Sequence, residues 1–508
     1  MDKQIEAAGM TIYGQIAIDH IVDVNQLLRI GPLRDILLIG EDGELIFSPG
    51  SYLETEEAYI PWFFGPLRTY RKDESGGKFW VQEVARFGGN IMEIIHKGLV
   101  RQLGVPNKDL GGGGPNNIKL LYQVFANFPI QFIGTYRRKG ERSEADIWEF
   151  AIGSMVSKLD LIPLHEHPPI NICFEGVGPK MEDRIILRSP FPALPLDRLQ
   201  DIKWPDPEGS TIVVNTIYTV TLAVEALITA TTKSKLAIIA CTEALCSKKP
   251  FSDDELRFFQ DKYPMVKFSD ISSVHDLVLK YVLPNSAAIL ILNESELQHL
   301  TGAQIIQVIN DHTRRYLNGV FDGLRKLRDL QRNKKSKIIF TMGREGSLCL
   351  DENDVLHHCG ITDVPGPIAG KTAIGDVYAG TIIGCEHVKC VIQGEVSDIA
   401  LQMTAAAAAA DVAVAKGFRA ATVLGIDGSI SDSWKKYTKL GLLDLVAKRA
   451  EQVYGPLPAV RLDEVDWAKT STISLTDSKL TGPTLLEQDK DREWLRPPFH
   501  NSVFTPKA

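Results

Sequence analysis

The run Thr372-Ala373-Ile374-Gly375-Asp376-Val377-Tyr378-Ala379-Gly380 holds the residues best suited to chemistry in this sequence. It reads as a glycine-containing turn that delivers an aspartate to the start of a helix. Backbone N–H groups at such a terminus neutralise phosphate charge without any basic side chain. The Asp376 carboxylate can take the proton from a hydroxyl as it attacks phosphorus. Together they point to phosphoryl transfer to an alcohol. A Gly-Asp pair before a helix is also ordinary N-capping, so the reading depends on what else the chain supplies.

Four further segments could supply it. Asp19 follows the apolar run Thr11 to Ile18 (TIYGQIAI), at the strand edge where ligands gather in open α/β sheets, and a carboxylate there can grip two sugar hydroxyls. A turn-forming or helix-capping aspartate is the competing account. Gly111, Gly112, Gly113 and Gly114 precede Pro115, Asn116 and Asn117, directly ahead of an apolar helix. The glycines admit close backbone approach to a ligand, and the asparagine amides can bond its hydroxyls. The alternative is a flexible linker. Asn293-Glu294-Ser295-Glu296 follows another strand. Acidic residues there could hold the water shell of Mg²⁺, or Asn293 and Glu296 could form a capping box. Thr341-Met342-Gly343-Arg344-Glu345-Gly346 suits a nucleotide passing close to the backbone, or a hairpin turn into Ser347 to Leu350.

Other patterns carry less. His165-Glu166-His167 has two histidines on one strand face but no third ligand in view. Arg137, Arg138, Lys139 and Arg142 read as solvated surface or as a grip for a phosphorylated substrate. Cys241 and Cys246 lack a partner histidine nearby and are assigned no catalysis.

The elements that must position these residues alternate along the chain. Ile130 to Gly134, Thr211 to Val214, Leu236 to Ala240, Ala288 to Leu292 and Lys337 to Thr341 are compact apolar runs with little alternation, as expected of strands covered on both faces. Helical patterns over 115–126, 254–261, 295–301 and 313–330 lie between them. The fold class this implies is α/β, with a mostly parallel central sheet between helices. Ala405 to Ala410 predict a helix whose small side chains serve close packing. Residues 40–85 are aromatic and turn-rich (Tyr59, Trp62, Phe63, Phe64, Tyr70, Trp80), and 135–210 contain short runs such as Ile170 to Glu175 and Arg184 to Leu187. Both read as insertions or lid strands around 40–110 and 135–210 of a domain spanning 10–450. From 454 to 508 the chain is polar and proline-containing, an extension that wraps the surface or stays partly disordered.

Composition bounds the class. At 508 residues and 44% hydrophobic the chain can bury at least one large core. A formal net charge of −8 argues against nucleic acid or an anionic membrane as the main partner. Seven cysteines without a repeating spacing predict free thiols in a reducing compartment. No apolar run is long enough to span a bilayer, and the first residues lack a secretory pattern, so a cytoplasmic protein is the expectation.

In order and spacing the chain resembles the ribokinase/PfkB family of carbohydrate kinases. The resemblance is carried by Gly14 and Asp19, by Gly111 to Asn117, and by the N-x-x-E pattern of Asn293 and Glu296. Thr341-x-Gly343-x-x-Gly346, Gly375-Asp376 with Ala379-Gly380, and the alanine-rich helix leading to Gly417 complete it. It implies a ribokinase-like three-layer fold with a smaller β lid, and it implies roles by position. Asp376 would be the catalytic base, with backbone N–H groups of Ala373, Ile374, Gly375 and Asp376 as the anion hole. Asp19, Gly112, Gly113, and Asn116 or Asn117 would hold a sugar-like acceptor. Asn293, Thr341, Gly343 and Gly346 would line the nucleotide site, and Glu296 would organise Mg²⁺ through water.

Three departures qualify this. Ala373 stands where the family's first glycine is expected, Gly370 where an acidic residue is expected, and Gly134-Thr135-Tyr136-Arg137-Arg138 replaces a Gly-Asp-Asp turn. Three readings therefore compete: an ATP-dependent kinase of a sugar, sugar phosphate or similar alcohol; an ADP-dependent sugar kinase, which suits the chain's length; and a non-catalytic relative that binds ligand or protein. Loss of the anion-hole glycine and the long tail favour the third, retention of Asp19, Glu296 and Asp376 together opposes it, and an active ATP kinase is the expectation. An exposed lid sheet would also suit a homodimer.

Overall fold

The computed structural model describes residues 9–23, 52–54, 107–124, 128–135, 152–153, 155–164, 170–177, 183–188, 196–217, 219–240, 248–305, 313–331, 335–343, 346–359, 374–416 and 460–461. The first apolar run is not one strand but two. Met10–Gln15 (β1) belongs to the main sheet, and Ala17–Asp23 (β2) to a second sheet, with the break at Ile16. Asp19 therefore does not close a central strand. It lies within β2, opposite Asp109 of β4 (Asn107–Gly111) and Asn171 of β7 (Ile170–Val177). Ile16 and Ala17 at the break are buried, so the run stays apolar across it and the sequence carries no mark of the change of sheet.

The main sheet is built as its composition dictates. β1, β5 (Ile130–Thr135), β9 (Thr211–Asn215) and β11 (Ile289–Leu292) are buried at every position, and β10 (Leu236–Ala240) and β12 (Ile338–Thr341) at all but one. That matches strands covered on both faces. With β6 (Lys158–Ile162) they form seven parallel strands in the order β6-β5-β1-β9-β10-β11-β12. β13 (Ser347–Leu350), β14 (Val355–Cys359) and the short β15 (Val460–Arg461) extend it antiparallel. The second sheet runs β3 (Tyr52–Glu54), β8 (Asp183–Arg188), β7, β2, β4. The expected fold class, a mostly parallel sheet between helices with a smaller β sheet, is the one observed.

Helices cover both faces. On one, Met10 and Ile12 of β1 pack with Ile118 and Leu121 of α1 (Gly113–Val124), Ile382 and Ile383 of α6 (Ile374–Glu386), and Met403 and Ala406 of α7 (Ile399–Lys416). On the other, Tyr13 packs in a core with Leu222 and Leu227 of α2 (Val220–Lys233) and Phe259 of α3 (Asp253–Lys262). Leu297 of α4 (Glu294–Thr301) and Phe321 of α5 (Thr313–Leu330) belong to the same core. The chain moves outward from β1 through α1 to β5 on one side, and from β9 through α2 to β10 on the other. The strand order thus reverses between β1 and β9. In open α/β sheets the crevice at the carboxyl ends of such a pair is where ligands bind. Among the described residues no helix is long and apolar enough to cross a membrane.

Candidate active site

The carboxyl ends of β1 and β9 are joined by backbone and side-chain contacts that draw the glycine tract inward. The Gln15 N–H donates to the Thr216 carbonyl at 3.0 Å. Gly112 turns the chain between β4 and α1 with φ of +102°, and its Cα lies so close to the Gln15 carbonyl that a side chain has no room. Gly113 opens α1 against Asn215 and Thr216, again too close for a Cβ. Thr216 itself has φ of 46°, an uncommon conformation for a β-branched residue, which costs on the order of 1–3 kcal/mol. Its hydroxyl donates to Asn215 Oδ1 at 2.8 Å, tying the strained corner to the end of β9.

From this corner a chain of amides runs to Asp376. Asn215 Nδ2 donates to Asn117 Oδ1, and Asn117 Nδ2 donates to the Asp376 carbonyl at 2.7 Å. Asn116 Nδ2 donates to Asp376 Oδ2 at 2.8 Å. Asn116 and Asn117 are the fourth and fifth residues of α1, and Asp376 is the third of α6. The two helix N-terminal turns therefore meet, and their dipoles present positive ends to the Asp376 carboxylate and to the space beside it. α6 approaches α1 this closely because Gly380 faces Leu120 and Asn117. Two residues after Asp376, the buried Tyr378 hydroxyl donates to Ser347 Oγ at 2.7 Å and anchors α6 to β13. Burial holds that phenol well above its ordinary pKa, so it stays a donor.

Of the predicted residues, the structure brings together Gly112, Gly113, Asn116, Asn117, Ile374, Gly375 and Asp376. Gly375 is exposed and Asp376 half-buried. Asn116 and Asn117 are almost fully buried. Ala373 lies outside the described residues, as do His165-Glu166-His167, the Arg137 to Arg142 run, Cys241, Cys246, Gly370, Gly417 and, apart from β3, residues 40–85. Sequence reasoning missed Asn215 and Thr216. The one available signal was that Asn215 closes the apolar run TIVV at the carboxyl end of a central strand.

Asn293, Glu296 and Thr341 lie farther along the same edge, Asn293 two strands and Thr341 three strands from Asn215. At about 5 Å per strand, Thr341 stands roughly 14 Å from it. Asn293 and Glu296 form a reciprocal capping box. Asn293 Oδ1 accepts from the Glu296 N–H at 3.0 Å, and Glu296 Oε2 accepts from the Asn293 N–H at 2.8 Å. The local alternative recognised in the sequence is thus realised. The same holds at Thr341, whose strand turns through Gly343 (φ 57°) and Gly346 (φ 87°) into β13, the Met342 N–H donating to the Gly346 carbonyl at 2.8 Å. The Thr341 hydroxyl donates to the Leu292 carbonyl at 3.3 Å, fixing the two neighbouring strand ends.

No family model matches the chain, and no curated protein matches it. Solved structures to which its fold is similar are of the ribokinase type. An adenosine kinase from Schistosoma mansoni is 14% identical, with 80% of this chain and 95% of that one covered at a TM-score of 0.47. A ribokinase from Cryptococcus neoformans is 13% identical, over 87% and 99%, at 0.45. A nucleoside kinase from Methanocaldococcus jannaschii, an archaeal member of the ribokinase family, is 11% identical, over 88% and 99%, at 0.44. These likenesses are distant, and the functional reading rests on the chain's own residues.

Proposed function

We propose that this chain is a kinase of the ribokinase/PfkB type, transferring a phosphoryl group from ATP to a hydroxyl of a sugar, a sugar phosphate or a similar small alcohol. The observation that carries the reading is Asp376, half-buried at the N-terminal turn of α6 and held by two asparagines of α1 beside the strand-order reversal. A carboxylate that accepts from the Asn116 amide can take a proton from an attacking hydroxyl. The first-turn N–H groups of α6, Gly375 and Asp376 among them, are suited to the charge on the transferred group. The hydroxyl-bearing acceptor would lie toward the carboxyl ends of β1 and β9, with Asp19 on β2 and the second sheet closing over it as a lid. The nucleotide would lie along the edge toward Asn293, Thr341, Gly343 and Gly346, the order a linear transfer needs.

Mg²⁺ is the implied metal. Among the described residues no three metal-ligating side chains converge, and one Glu296 oxygen is engaged in the capping box. Glu296, 4% exposed, would act from the outer sphere by ordering the ion's water shell. When bound, the ion would neutralise phosphate charge.

The test is phosphate transfer from ATP and from ADP to a panel of sugars, sugar phosphates and nucleosides, comparing wild type with Asp376→Asn. Turnover by the wild type, lowered on the order of 10²–10⁴-fold in Asp376→Asn, is the expected result. Preference for ADP would move the reading to the ADP-dependent branch. Absence of turnover with every pair, in protein that still binds nucleotide, would leave a non-catalytic relative.

A further inference from the structure

Asn116 is 4% exposed, and its amide is already committed to the chain's own carboxylate. A carboxylate oxygen only accepts, so the group 2.8 Å from Asp376 Oδ2 must be the Asn116 NH₂. That orientation leaves Asn116 Oδ1 buried with no donor among the described residues, an arrangement that costs on the order of 1 kcal/mol or more. The amide keeps it because turning over would set oxygen against oxygen. Asn117, its neighbour, spends its NH₂ on the Asp376 carbonyl and its oxygen on Asn215, so both side chains face inward to the start of α6.

We infer that Asn116 is a positioning residue for Asp376: it fixes the rotation of the carboxylate and holds it ionised, instead of serving chiefly as a contact for the acceptor's hydroxyls. The kinetic readout of this inference rests on the kinase reading; the structural readout does not. Titratable groups on the elements around Asp376 are Lys119, one turn beyond Asn116, and Tyr122 on α1, Tyr378, Cys385 and Glu386 on α6, Asp411 and Lys416 on α7, which packs on α6, and His357, His358 and Cys359 on β14, which α7 contacts. Tyr378 is engaged with Ser347, Glu386 with Lys337 at the far end of α6, and His357 with Asp351. The variants below leave all of them unchanged.

Asn116→Asp keeps the shape and sets a second carboxyl against the first. Two carboxylates at hydrogen-bond distance cannot both ionise readily, so the acid limb of the kcat/KM profile is expected to move up by about one pH unit or more. Asn116→Ala, which removes the donor without adding charge, should move it the same way by less. Stability against pH is read on the same proteins. Asn116→Asp should melt lower at neutral pH, recover on acidification, and lose this penalty in the double variant Asn116→Asp/Asp376→Asn, where carboxylate and amide have exchanged places. A raised KM with an unmoved acid limb would overturn the inference, as would a penalty that persists in the Asp376→Asn background. If the wild type turns over no substrate, the kinase reading fails by itself, and the melting cycle still decides whether Asn116 governs the ionisation of Asp376.

Discussion

Gly375 offers a separation of stability from activity. It is the second residue of α6, it is exposed, and a Cβ built on it meets no other atom within 4 Å among the described residues. Its φ is not in the left-handed region. Neither backbone conformation nor packing within the chain therefore calls for glycine at this position. Alanine is the better helix former by about 1 kcal/mol in a helix interior, and by less in the first turn. Gly375→Ala should accordingly fold as well as the wild type or slightly better. A gain of 1 kcal/mol raises Tm by only about 2–4 °C in a 150–250-residue domain, so a rise of that order or smaller is expected in this chain.

Activity should move the other way. If a phosphoryl group comes close to the backbone of the first turn, a methyl group at Gly375 stands in its path. A displacement of the reacting group by about 1 Å costs on the order of 10²-fold in rate. The assay is steady-state kinetics with differential scanning of the same preparations. An unchanged kcat and KM in a well-folded Gly375→Ala protein would refute the reasoning, because it would remove the ligand-approach account of this glycine. Gly380 provides the contrast: a Cβ there comes within 2.9 Å of Leu120 Cδ2 and 3.0 Å of Asn117 Nδ2. Gly380→Ala should cost both stability and activity, through the contact that orients Asn117.

Two predictions concern stability away from the site. Lys337 and Glu386 form a buried ion pair at 2.8 Å, joined by Ser397, whose hydroxyl donates to Glu386 Oε1 at 2.7 Å. Glu386→Gln should cost roughly 3–5 kcal/mol in denaturant unfolding, while Lys337→Met with Glu386→Leu should recover most of it; additive losses would contradict the pairing. Burial works against the Lys337 charge, but Glu386 holds its pKa above the ordinary value, so the lysine's contribution persists through neutral pH and is lost as pH rises through that folded value into strong alkali. Asp351 runs the opposite way. Burial opposes its charge, yet N–H groups of Val355 and Asn353 and the His357 ring lower its pKa below the ordinary carboxyl value. Its contribution is present above the unfolded value of about 3.9 and lost as pH falls through the lower folded value. The Tm difference between wild type and Asp351→Asn should therefore close in that acid window, and a pH-independent difference would count against it.

The central strands were legible because burial on both faces leaves runs such as TIVV, LAIIA and ILIL that no other element explains. α5 was legible to its ends, since its apolar residues recur at helical spacing over 313–330. The position of Asp19 was not, because Ile16, Ala17 and Ile18 continue the apolar run while the chain changes sheets, and apolarity does not record which sheet buries it. In the candidate site, Gly375-Asp376 and the asparagines were visible as types in order. Their mutual contacts were not, for Asn116 and Asp376 are 260 positions apart and only the packing of α1 on α6 joins them. Asn215 and Thr216 escaped for a related reason. An amide at a strand end is common, and the φ of 46° at Thr216 has no sequence signature when the residue is not glycine.

Two buried polar clusters sit at opposite ends of the sheet, and the contrast between them separates fold from chemistry. At the amino end, Lys337, which immediately precedes β12, closes with Glu386 and Ser397 in contacts made within the chain. At the carboxyl end, Asn215, Asn117 and Asn116 lead instead to a carboxylate that remains half-exposed at a helix terminus. A polar chain whose only task was to satisfy buried groups would end inside the protein, as the first one does. The second also carries a strained threonine at its base, a cost with no return in core packing. That cost is understandable if the corner's task is to hold Asn215, and through it the start of α6, in one place. Rigid placement of a carboxylate beside open helix N–H groups is what a phosphoryl-transfer site requires of its scaffold, since little covalent chemistry is left for the protein to do.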